Sequence, residues 1–275
     1  MRTPPYLPFL DGPARVAPLL KPIPMERWLT PDTEAEAWLP TKRNLMEKAR
    51  DEVFAARTWA EDAMQEAARD IHRALGPTSV DQLIFPTEFE NASGLISDDV
   101  CVMIKQAGEY KLAAASLCAP TFWSLTENIG KPLAGLHGPV PGGAPELSDR
   151  INRVFDGLQP GMVLERFNWT VQYGAERYTP TAEPMKLALA NGRPEEIAPG
   201  LHLRVERQTV RKLTRTGAVL FCIRVCTDPL SPILANEAWR KAFTESWNQT
   251  EDSLRRYKGW DHYEHVMRAC FLKQD

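Results

Sequence analysis

Three segments in the second half of the chain, Met162–Tyr173, Leu201–Val210 and Gly217–Thr227, alternate apolar with polar residues. A period of two fits a strand with one buried face and does not fit a helix, whose period is about 3.6. Two shorter runs, Val100–Lys105 and Tyr110–Cys118, flank the turn Ala107-Gly108-Glu109 and read as a hairpin. The expected frame is an antiparallel sheet of about five strands.

The remaining segments supply helices. Pro120–Asn128 reads as a short helix stopped by Gly130, and Leu147, Ile151, Val154, Phe155 and Leu158 recur at helical spacing. Residues 174–200 are polar and proline-containing, which predicts a loop. Residues 1–40 form a proline-rich arm anchored by Trp28, Leu29, Trp38 and Leu39, with a short helix opened by Thr30-Pro31. From Thr41 a long helix is expected. Its stripe runs through Leu45, Ala49, Val53, Ala56, Ala60, Met64, Ala67, Ile71 and Leu75 and stops at Gly76-Pro77. Ser79 with Gln82 forms a capping box for one further turn, and helices return from Asn236. An antiparallel sheet with helices on one face is an α+β domain. The chain reads as a single domain over 1–275, with arm and long helix at 1–78, core at 79–230 and C-terminal helices at 231–275. The order of hairpin, helices and three strands is that of a PAS-like core.

A net charge of −3 and a pI near 6.0 give no basic excess, so no nucleic-acid partner is expected. No apolar run approaches bilayer length, and the proline-broken N-terminus makes a poor signal peptide. The expectation is a cytoplasmic protein with no membrane contact. The five cysteines, Cys101, Cys118, Cys222, Cys226 and Cys270, are scattered and mostly sit in or beside strand-like runs, which predicts buried thiols. There is no GxGxxG, P-loop or GxSxG, and no ferredoxin-type cysteine spacing. Any redox chemistry here would draw on another chain for nucleotide binding and electron supply.

Among the histidines, His72 reads as a surface residue and His202 as facing away from the apolar side of its strand. His262 and His265 have metal-compatible spacing but no third ligand nearby. His137 stands apart. It lies among Gly135, Gly138, Pro139 and Pro141, a stiff setting that suits a metal or haem axial ligand, or equally a turn histidine bonded to a carbonyl. Alternation places Glu165 on a face with Val163, Phe167, Trp169 and Val171, and Arg207 with Leu203 and Val205. A charge on an apolar face needs a partner. Glu165 and Arg207 thus form either an ion pair between strands or part of a site. Arg224 shares this predicament on the last strand. Arg204, Arg207 and Arg224, with Arg166, are either receivers of cofactor carboxylates or rim charges.

The segments LAAASLCAPTFWSLTENIGKPLAGLHGPVPG, RINRVFDGLQPGMVLERFNW, LRVERQTVRKLTRTGAVLFCIRVCTDPL and RRYKGW together resemble the haem-dependent oxidative N-demethylase α-subunit-like family over roughly residues 80 to 270. The resemblance implies a PAS-like fold holding haem b. It also implies dioxygen-dependent removal of a methyl group from a small secondary amine such as dimethylamine. Electrons would come from separate reductase subunits carrying FMN and a 2Fe-2S cluster. His137 would be the iron ligand, Glu165 would take the proton of the amine, and Trp123 and Trp169 would wall its cation. The alternatives are a haem-binding PAS-like sensor and a non-catalytic interaction protein.

Overall fold

The computed structural model describes residues 3–77 and 85–272, so the turn expected at Ser79 to Gln82 lies outside the described residues. The described residues build an α+β structure on a seven-stranded antiparallel sheet. Its strands are β1 (Lys21–Ile23), β2 (Phe54–Ala56), β3 (Asp99–Gln106), β4 (Glu109–Ser116), β5 (Val163–Tyr173), β6 (Leu201–Lys212) and β7 (Val219–Pro229). In space they run β1-β5-β6-β7-β3-β4-β2. The five expected strands are all present at the centre. The expected count falls short because β1 and β2 are three-residue edges, pairing with β5 and β4. A strand that short carries no readable alternation.

The continuous helix expected from Thr41 to Leu75 is instead two helices, α1 (Ala35–Lys48) and α2 (Glu61–Leu75). The chain leaves α1 at Ala49, makes one turn over Arg50–Val53 and then runs as β2. The open edge of β4 satisfies the backbone groups of residues 54–56, which overrides local helix propensity. The apolar stripe still works, since Val53, Ala60, Met64, Ala67 and Ile71 are all buried. α1 begins at Ala35, not at Thr30-Pro31 as expected. Asp32 instead accepts from Glu34 N at 3.1 Å and Ser97 N at 2.9 Å, tying the arm to the loop before β3.

Three short helices bridge β4 and β5: α3 (Leu125–Asn128), α4 (Leu133–His137) and α5 (Ser148–Gly157). Residues 174–200, expected as a loop, contain α6 (Glu183–Asn191) and a turn at Pro194–Ile197, which bury Met185, Leu189 and Ile197. The C-terminal part holds α7 (Glu237–Gln249), capped by Asn236 at 3.0 Å from Trp239 N, and α8 (Asp252–Tyr257).

Helices cover both faces of the sheet, not one as expected. On one face the arm, α2 and the C-terminal segment pack against Val100, Val102, Leu203, Val205 and Leu220. Trp247 and Trp260 stack there at 4.2 Å, and Trp260 meets Trp169 at 4.9 Å. On the other face Leu125, Leu133 and Phe155 of α3, α4 and α5 pack against Cys101, Met103, Val210 and Val219. Among the described residues no helix is long and apolar enough to cross a membrane. All five cysteines are free, and all but Cys270 are buried.

Candidate active site on the polar sheet face

Neighbouring residues on a strand point to opposite faces. The odd-numbered residues of β5 and β6 enter the core with Trp169, so Arg166, Asn168, Arg204, Glu206 and Gln208 face the side covered by α3, α4 and α5. The register pairs Arg166 with Gln208 and Asn168 with Glu206, which sets these polar groups side by side.

Glu206 is the hub. One carboxylate oxygen accepts from the Thr121 hydroxyl, the other from Asn168 Nδ2 at 3.2 Å and Gln208 Nε2 at 2.7 Å. Burial opposes its charge, but the Thr121 bond, Arg204, Asn168 and Lys258 together hold the carboxyl below its usual range. Two cations anchor those donors. Arg204 is fully buried and donates to Thr121 Oγ1 at 2.8 Å, Gln172 Oε1 at 2.9 Å and the Ala119 carbonyl at 2.8 Å. Lys258, just after α8, donates to Asn168 Oδ1 and the Trp169 carbonyl, both at 2.8 Å. Burial pulls its ammonium down to about 8, against the attraction of Glu206.

His137 is the last residue of α4, at the base of the HGPVPG turn. Its Nδ1 lies 2.9 Å from the Leu133 carbonyl. A carbonyl only accepts, so Nδ1 carries the proton and Nε2 keeps its lone pair. Burial lowers the pKa of the ring, the Leu133 bond opposes that shift, and Arg166 adds to it, so the neutral imidazole is favoured. The following turn is closed by Val140 N to His137 O at 2.9 Å and Gly143 N to Val140 O at 2.7 Å. A Cβ on Gly143 would lie 1.9 Å from the His137 carbonyl oxygen, so only glycine fits there. The histidine is held by its own helix and by this turn.

The expected site residues divide between the two faces. His137 and Arg204 belong to the polar face, and half-buried Trp123 packs with the cluster of α3, α4 and α5. Glu165, Arg207, Arg224 and Trp169 belong to the opposite face. Arg207 Nε donates to Glu165 at 2.6 Å, and its other nitrogens to the Trp28 carbonyl at 2.8 Å and the Arg27 carbonyl at 2.5 Å. Arg224 is fully buried between Asp98 and the carbonyls of Leu29 and Pro31. Trp169 lies in the aromatic cluster with Phe9, Phe243 and Trp260. Arg166, Asn168, Glu206, Gln208 and Lys258 thus gather on the sheet face covered by the helix that carries His137, and Glu165 lies on the other. Two surface hollows of about 280 and 410 Å³, beside Met25 and Trp59, contain none of these groups.

Residues 85–268, about two thirds of the chain, match the family model described as haem-dependent oxidative N-demethylase, alpha subunit-like. The chain belongs to this family. Every segment that carries the family resemblance delivers a side chain to the polar face: Thr121 from APTFW, His137 from HGPVPG, Arg166 and Asn168 from RFNW, Glu206 and Gln208 from LRVERQT, and Lys258 from RRYKGW.

Sequence reasoning missed Glu206, Asn168, Gln208 and Lys258 as site members. A polar face on a strand ordinarily means solvent, so the RVERQ alternation was read for its apolar side alone. The available signal was that two strands, RFNW and LRVERQ, both carry charge and amide on the face opposite their apolar residues.

Proposed function

We propose that this chain is the haem-bearing component of an oxidative N-demethylase, acting on a small secondary amine such as dimethylamine with dioxygen. Electrons would arrive from partner subunits bearing FMN and a 2Fe-2S cluster. The observation that carries this reading is the convergence of the family segments on one sheet face around a histidine whose Nε2 is uncommitted. The strand order, with the hairpin beside the last strand and helices crossing between, supports a PAS-like core.

The donor set fits haem b. A neutral imidazole with its second nitrogen bonded to a carbonyl is the form that ligates iron. Arg166, whose charge reaches the His137 ring, supplies a cation suited to an acidic side group. Bound haem supplies the dioxygen chemistry. The remaining work belongs to this chain. Glu206 is kept ionised by the Thr121 bond, Arg204, Asn168 and Lys258 and has no direct ion pair, so it can hold an ammonium or accept its proton. An amine must lose that proton before its nitrogen is oxidised. Glu206 takes the role the sequence suggested for Glu165, whose carboxylate is occupied by Arg207 on the other face. Trp123, packed against the cluster of α3, α4 and α5, would line the apolar side of the amine.

The test is amine-dependent oxygen uptake and formaldehyde release by haem-loaded protein supplied with a reductase. Glu206→Gln is expected to lower turnover by about 10²-fold with an unchanged Soret band. Glu165→Gln is expected to leave turnover intact and to lower the unfolding midpoint. Equal losses in both variants would remove Glu206 from the role.

A further inference from the structure

The polar face contains two cations, Arg166 and Lys258, that feel the charge of Glu206 but touch no carboxylate. Arg166 donates one guanidinium N–H to the Ala17 carbonyl at 3.0 Å, while its Nε is buried without a partner. Lys258 uses two N–H bonds, on Asn168 Oδ1 and the Trp169 carbonyl, which leaves a third unclaimed. The one carboxylate between them, Glu206, accepts its bonds from Thr121, Asn168 and Gln208, all neutral. Among the described residues neither cation is ion-paired. Unpaired buried charge is costly and is retained where a ligand completes it.

The other arginines differ. Arg207 and Arg224 are ion-paired with Glu165 and Asp98, and Arg204 donates to four carbonyls and three side-chain oxygens. Their donors are engaged, whereas those of Arg166 and Lys258 are open. Leu136 of α4 and Leu164 of β5 pack in one apolar cluster, and the charge of Arg166 reaches the His137 ring, so an acidic group seated on Arg166 would lie on the side of the sheet that holds the candidate iron ligand.

We infer that Arg166, with Lys258 beside it, receives the carboxylate side groups of the cofactor whose iron His137 binds. This inference rests on the haem reading above. It narrows the carboxylate-binding role, spread in the sequence over Arg166, Arg204, Arg207 and Arg224, to the one of these with an unpartnered buried donor. It also gives the RRYKGW segment a task, because Lys258 ties the C-terminal helices to the site.

The experiment is a spectrophotometric titration of the full chain with haem and, separately, with haem dimethyl ester, which lacks the carboxylate charges. Wild type is expected to bind haem more tightly than the ester. Arg166→Gln is expected to weaken haem binding about tenfold, roughly 1.4 kcal/mol, and to leave the ester unchanged, with Lys258→Gln showing a smaller effect of the same kind. Arg166→Lys keeps the charge and should restore part of the preference, which separates a carboxylate contact from a folding defect. An unchanged haem-to-ester ratio in Arg166→Gln overturns the inference while the haem reading stands. No Soret band in wild type with either compound overturns both.

Discussion

Protein carrying His137→Ala, purified with haem supplied, is expected to lose or shift the Soret band that wild type shows. Several features single out this histidine. Its Nδ1 is bonded to Leu133 O, which fixes the tautomer and directs Nε2 away from α4. Burial favours the neutral ring, so iron binding needs no proton release near neutral pH. Its backbone is held by a turn in which Gly143 presses against the His137 carbonyl. Removing an outer-shell partner of a metal ligand typically costs 10–100-fold in affinity, so loss of the ligand itself should exceed about 100-fold. His202→Ala is the control, since that ring shares the strand face of Arg204 but bonds the Gly200 carbonyl at the start of β6. The same titration reads both variants. An unaltered band in His137→Ala would assign the iron to another residue.

The second large effect concerns stability. Arg224→Ala is expected to cost about 3–5 kcal/mol in denaturant unfolding of the haem-free protein, the range for breaking one partner from a buried ion pair. Arg224 and Asp98 are both fully buried, with Nε 2.8 Å from Asp98 Oδ2. The guanidinium also holds the Pro31 carbonyl at 2.7 Å and the Leu29 carbonyl at 2.6 Å, so its loss orphans a carboxylate and two carbonyls together. Burial works against the charge, but Asp98 and Asp32 more than offset it. Replacing both partners, as Arg224→Met with Asp98→Leu, should recover much of the loss, because no uncompensated charge remains. A cost under about 1 kcal/mol for Arg224→Ala would show that the pair contributes no more than a surface bridge.

These two residues illustrate how the chain encodes its structure. The inward charges of Arg224, Glu165 and Arg207 were legible from alternation alone, because period two assigns each residue to a face without knowledge of the rest of the fold, but alternation left Glu165 and Arg207 open between an ion pair and a site. The identity of the partners was not legible. Asp98 reaches Arg224 only because β3 pairs with β7, and the Leu29 and Pro31 carbonyls come from an arm whose course local pattern does not encode. The same limit broke the expected long helix: residues 54–56 look helical until the open edge of β4 offers them a ladder.

By itself the sequence determined the antiparallel core, its five central strands, the inward face of each, the buried thiols and the prominence of His137. Those features follow from local periodicity and local stereochemistry, which neighbouring residues fix. Only the tertiary structure gathered the polar residues of one face into a candidate site. Glu206, Asn168, Arg166 and Lys258 are polar residues on strand faces and a helix end, which in isolation look like solvent contacts. They become a candidate site because β5 and β6 pair in one register, α4 packs on the same side of the sheet, and the end of α8 brings Lys258 to the edge of β5. Their chemistry depends on distances between segments far apart in the chain, and such distances exist only once the chain has folded.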